Sequence, residues 1–193
     1  AWIEKHRQEI RDDYFSFLRF PSISADPAHQ SDLIACAKWV KGYIDRHLKM
    51  KSELIETKGA PLVFAEDLTE GSSTLLIYGH YDVQPVDPIE LWESAPFTPT
   101  ERDGFIYARG ALDDKGQIYY ALVAIRAWKE LQGRLPLNLK FCIEGEEESS
   151  SLGLLSALPK LREKLKADHL LIPDFDRYDE KTFAMALGCR GLV

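Results

Sequence analysis

Three short clusters hold the residues of this chain that are able to do chemistry. The first is Tyr78-Gly79-His80-Tyr81-Asp82, directly after the apolar run Leu75-Leu76-Ile77. A single histidine near a strand end is ordinarily structural, but Asp82 changes its meaning. A carboxylate two residues away can accept the second ring N–H, fix the tautomer and raise the basicity of the nitrogen left to bind a metal. The second cluster, Ala108-Arg109-Gly110-Ala111-Leu112-Asp113-Asp114-Lys115-Gly116, lies just ahead of a helical pattern. An aspartate there is ordinarily an N-cap. Two adjacent acids need only one cap, and the other carboxylate can bridge two divalent ions about 3.5 to 4 Å apart. The third cluster, Glu144-Gly145-Glu146-Glu147-Glu148-Ser149, follows the apolar run Phe141-Cys142-Ile143. A glutamate run is ordinarily the solvated start of a helix. A surface cluster would not need a buried strand to deliver it, whereas metal-assisted hydrolysis needs one carboxylate as ligand and another as proton shuttle. A fourth acid, Asp174, ends the run Leu170-Leu171-Ile172-Pro173, although aspartates cap turns everywhere.

These clusters need strands and helices to aim them. Ile3, His6, Ile10, Tyr14, Phe15 and Leu18 fall on helical spacing, and Pro21 ends that helix. Ser31 is expected to cap a second helix marked by Leu33, Ile34, Ala37, Val40, Ile44 and Leu48. Short apolar strands follow at Ser52–Glu56, Leu62–Glu66 and Thr74–Tyr78. The stretch His80 to Pro99, with four prolines, reads as a long ordered loop. Asp103-Gly104 predicts a hairpin turn. A third helix is expected over Gln117–Leu131, a buried strand over Leu137–Ile143 and a fourth helix, containing Pro159, near Leu152–Leu165. Extended segments are expected at His169–Ile172 and Thr182–Leu187. The alternation predicts an α/β fold: a mostly parallel mixed sheet with helices on both faces. In such sheets, ligands gather at the carboxyl ends of strands, which is where all three clusters stand.

Composition narrows the partners. The 193 residues are 45% hydrophobic and 28% charged, enough for a substantial core. Net charge is -7 and the sequence pI is near 5.3. Basic residues are interleaved with acids, which argues against a nucleic-acid partner. No apolar run reaches the roughly 18 to 20 residues of a membrane span. Cys36, Cys142 and Cys189 are an odd, widely spaced set among apolar neighbours, so free thiols in a reducing compartment, the cytoplasm, are expected. No Walker loop, dinucleotide glycine fingerprint, HExxH helix or Gly-x-Ser-x-Gly elbow occurs, and Ser149–Ser151 has no nearby histidine to activate it.

Read together, Tyr78 to Pro85, Ile106 to Gln117 and Glu144 to Ser149 closely resemble the carnosinase and non-specific dipeptidase branch of the aminoacylase-like zinc peptidases. The order and separations match as well, as do Trp92, Pro96-Phe97 and the closing Gly188 to Leu192. The resemblance implies a zinc-peptidase-like sandwich and two zinc ions. It makes His80 a ligand of the first, with Asp82 behind it, and Asp113 the bridging carboxylate, joined to Asp114 by a cis peptide. Glu147 is then the general base, Glu148 a ligand of the second zinc, and Asp174, in preference to Asp176, the acid completing the first. The implied activity is hydrolysis of dipeptides or short peptides by a metal-bound water. Its rival is zinc-dependent deacylation of N-acyl amino acids such as acetylornithine or succinyl-diaminopimelate, and a rival of another class is a non-catalytic metal-binding or assembly domain. Ser150 departs from the glycine usual in the family. The family also uses a later histidine on the second zinc and an inserted lid domain through which a homodimer forms. Residues 1–193 thus correspond to the N-terminal part of a zinc-dependent catalytic domain, with the lid and the C-terminal catalytic segment absent.

Overall fold

A computed structural model describes residues 1–69, 73–175, 179 and 182. Helix α1 (Trp2–Leu18) and helix α2 (Gln30–Tyr43) come first, and a π turn at Ile44–Leu48 extends α2. Ser31 is not the cap of α2. Asp26 instead accepts the Ala28 N–H and starts a 3-10 turn, Pro27–His29, that runs directly into the helix. An aspartate ahead of a proline at N1 is a stronger start signal than the serine further in.

Strands β1 (Lys51–Ile55), β2 (Leu62–Asp67) and β3 (Thr74–His80) follow. The hairpin strands β4 (Thr100–Arg102) and β5 (Phe105–Tyr107) come next, with Asp103 and Gly104 both at positive φ, as a two-residue hairpin turn requires. The long loop before them is ordered by Arg109, which donates to the Pro85 carbonyl at 2.8 Å and lies over the Trp92 ring. The chain continues through α3 (Lys115–Gln132), β6 (Asn138–Glu144), α4 (Leu152–Leu161) and β7 (His169–Leu171). Apart from Thr182, the extended segment expected at 182–187 lies outside the described residues, as does Cys189.

The main sheet has the order β1-β2-β6-β3-β7. It is an α/β mixed sheet, as expected, and among the described residues its pairings are evenly divided. β1–β2 and β2–β6 run antiparallel, while β6–β3 and β3–β7 run parallel. Strand alternation sends Val63, Ala65, Ile77, Leu139, Phe141 and Ile143 into one large core with Phe17, Leu33, Val40, Tyr43, Ile118 and Leu122 of α1, α2 and α3. Leu62 points the other way, onto Ala157 and Leu161 of α4. Helices therefore cover both faces. Cys36 and Cys142 are buried free thiols.

Candidate metal centre

The parallel half of the sheet brings three strand ends side by side. His80 closes β3 and is the register partner of Glu144, the last residue of β6. β7 flanks β3 on the other side and ends three residues before Asp174. Parallel pairing points all three ends the same way, so the histidine, the glutamate run and Asp174 emerge at one rim.

His80 and Asp82 are fully buried. The His80 Nδ1 stands 3.1 Å from the Asp82 carbonyl and 3.2 Å from its carboxylate. Hydrogen bonding at Nδ1 leaves the lone pair on Nε2. That nitrogen is buried without a hydrogen-bond partner, yet it faces Asp113 at 3.2 Å, Asp174 at 3.6 Å and Glu147 at 3.9 Å. Burial works against a charge on the imidazole, but Asp113, Asp174 and Asp82 outweigh it and raise the His80 pKa far above the ordinary value. The same carboxylates that would hold a proton on Nε2 would hold a metal ion there. Ligand atoms of His80, Asp113 and Asp174 lie within 4.8 Å of one another. Tetrahedral zinc with bonds of about 2.0 to 2.2 Å separates its ligands by about 3.4 Å, so the residues fit the ion without rearrangement of the backbone.

The expected site residues thus divide. His80, Asp113 and Asp174 converge, and Glu147 stands beside them. Glu148 turns to Gln84, which donates to it at 2.5 Å, although it remains close enough to Asp113 for mutual repulsion. Burial raises the pKa of both Glu147 and Glu148, and neighbouring acids add to the effect. Asp113 is shifted down by its contact with the His80 imidazole, against the opposing effect of burial.

Several supporting contacts were not announced by the sequence. Asp82 accepts the backbone N–H groups of Glu147 and Glu148 at 3.2 and 3.1 Å, so one buried carboxylate ties the histidine strand to the acid loop. Asp114 makes no cap at α3. Its carboxylate instead accepts the His80 backbone N–H at 2.9 Å, and burial pushes its pKa up to about 8. That approach explains Gly79, because a Cβ there would lie 2.4 Å from the Asp114 Oδ2. The Asp113-Asp114 peptide is cis. Gln117 donates to the Phe175 carbonyl at 2.8 Å and Tyr120 reaches the Pro173 carbonyl at 3.5 Å, so α3 holds the segment that carries Asp174. Asp82 was marked in advance by its spacing from His80, and the cis bond by the family resemblance; the roles of Gly79, Gln117 and Tyr120 were not.

A second group, Glu9, Asp13 and His47, also has ligand atoms close together. Arg126 already places a guanidinium 2.8 Å from Glu9, which disfavours another cation.

The profile of peptidase family M20/M25/M40 matches residues 76–188, more than half of the chain. A human Beta-Ala-His dipeptidase is 38% identical over 136 residues, covering 68% of this chain and 26% of the relative. A Cys-Gly metallodipeptidase dug1 of Schizosaccharomyces pombe is 32% identical over 203 residues, covering 98% of this chain and 43% of the relative. The crystal structure of human carnosine dipeptidase 1 superposes with a TM-score of 0.83 at 29% identity, covering 90% of this chain and 40% of that one. The chain therefore spans from about a quarter to two fifths of the length of these relatives.

Proposed function

The chain belongs to peptidase family M20/M25/M40, and on that premise we propose that it supplies the N-terminal part of the catalytic domain of a zinc-dependent hydrolase of dipeptides or short peptides. The observation that carries this reading is the buried, unpartnered Nε2 of His80 facing three carboxylates. His80, Asp113 and Asp174 would hold the first zinc, with Asp113 shared and Glu148 serving the second. Asp82 keeps the His80 ring in the tautomer that presents Nε2. When bound, zinc lowers the pKa of water and polarises a peptide carbonyl.

Glu147 takes the proton of the attacking water on its carboxylate and later delivers it to the departing amine. Its raised pKa suits a group that must hold a proton between those two events. The remaining zinc ligand and the lid belong to sequence beyond Val193 in this reading. Among the described residues no helix is long and apolar enough to cross a membrane, and a cytoplasmic location belongs to the same proposal.

The test uses the full-length protein, stripped of metal and reloaded with zinc, against a panel of dipeptides and N-acyl amino acids. Dipeptide turnover that disappears on chelation and in Glu147→Gln is the expected result. Turnover of N-acyl amino acids alone would move the assignment to a deacylase. Activity that survives both treatments would remove the proposed chemistry altogether.

A further inference from the structure

Asp113 meets His80 at 3.2 Å, but its side chain is 62% exposed, so its placement depends on the backbone of the loop between β5 and α3. Both ends of that loop are tied to α1. On one side of Asp113, the Tyr14 hydroxyl donates to the Ala111 carbonyl at 2.5 Å. On the other, Lys115 is completely buried and its ammonium donates to the Phe20 carbonyl at 2.7 Å and the Phe17 carbonyl at 3.4 Å. Carbonyls at a helix C-terminus lack intrahelical donors and carry partial negative charge. A cation there is paired, where an unpaired one in the same place would be costly. A third bond, from the Gly116 N–H to the Gly110 carbonyl at 3.2 Å, closes the base of the loop.

The helix at the other end of these bonds is itself fixed. Tyr119 of α3 donates to the Ile10 carbonyl at 2.7 Å, its ring stacks on Tyr14 at 5.1 Å, and Arg126 pairs with Glu9 at 2.8 Å. We infer that α1, which gives no side chain to the metal cluster, sets the position of the Asp113 carboxylate through Tyr14 and Lys115, so that both are positioning residues for metal binding. This rests on the reading of Asp113 as a metal-binding carboxylate. If the bonds merely held α1 to the body of the protein, losing either would lower stability without a selective effect on the metal.

Tyr119 provides the matched control, because its hydroxyl also bonds across the α1–α3 contact but ends on the Ile10 carbonyl and not on the Asp113 loop. Tyr14→Phe and Tyr119→Phe each remove one oxygen. In the full-length protein, stripped of metal and titrated with Zn2+ alone, Tyr14→Phe is expected to weaken binding about tenfold, the effect of losing a group that orients a ligand. Tyr119→Phe is expected to change it by less than about twofold, since its site lies outside the loop. Melting temperatures of the metal-free variants are measured alongside, and Lys115→Met should weaken Zn2+ binding in the same direction as Tyr14→Phe. Equal losses in the two tyrosine variants, or no loss in Tyr14→Phe while the wild type binds tightly, would overturn the inference alone. A wild type that binds no Zn2+ would overturn the functional reading and this inference with it. Should Lys115→Met fail to fold, the tyrosine pair still decides the question.

Discussion

The two halves of the sheet have different tasks, and strand direction is the reason. On the antiparallel side, β1, β2 and β6 alternate in direction, so their carboxyl ends point to opposite rims and cannot pool side chains. This half is structural: Leu62, Val63, Phe64 and Ala65 of β2 are all buried, between α2 on one face and α4 on the other. On the parallel side, β6, β3 and β7 deliver their carboxyl ends together, and four acids gather around one histidine. This half is less covered. β7 is three residues long and Leu170, Leu171 and Ile172 are exposed. Substitutions in the first half should therefore act on stability, and those in the second on metal and turnover.

The strongest test of that division is Phe64→Ala in β2. It should cost about 3 to 5 kcal/mol of folding stability in denaturant titrations, while the fraction that remains folded binds zinc with unchanged affinity. Glu147→Gln should do the reverse. Turnover is expected to fall by about 10²- to 10⁴-fold, with stability altered by no more than about 0.5 kcal/mol, as for other substitutions outside the core. Loss of the same property in both variants would erase the distinction.

Metal removal addresses the crowded acids directly. Zinc at one hundred times its dissociation constant should raise unfolding free energy by about 2.7 kcal/mol over the metal-free form. Thermal melts with zinc and with chelator measure this, and coincident curves would contradict the proposed site. Gln117→Ala sharpens the picture further, because Gln117 touches only the segment that carries Asp174. A loss of about tenfold in zinc affinity is expected, seen by competition with a chelating dye. The smallest effect should come from Gln84→Ala, which removes one exposed hydrogen bond to Glu148. About 1 kcal/mol, or fivefold in affinity, is the central value for such a bond.

Much of this architecture was legible in the residues. Apolar alternation located β2, β3 and β6 to within one or two residues, and the Asp103-Gly104 pair marked the hairpin, because these signals act between near neighbours in the chain. Helix starts were less legible. Ser31 had the right side chain for a cap, but the stronger signal, Asp26 followed by Pro27, lies further upstream and starts a turn that already runs into the helix before Ser31. The balance of parallel and antiparallel pairing was not legible for a related reason. A continuous apolar run such as Phe141 to Ile143 states that a strand is buried on both faces, and β6 is buried so while pairing antiparallel to β2 and parallel to β3.

The amino-acid sequence by itself determined the kinds of donor atom available, their spacing after apolar runs and the family to which those runs belong. Those properties are local, set by side-chain chemistry and by the periods of strand and helix. Only the tertiary structure decided that Asp114 would serve the His80 backbone instead of capping α3, that Asp82 would join two strands through the N–H groups of Glu147 and Glu148, and that α1 would reach the Asp113 loop. Each of those contacts links residues far apart in the chain. Such a bond forms wherever packing brings a donor and an acceptor within about 3 Å, and nothing in the neighbourhood of either residue announces its partner.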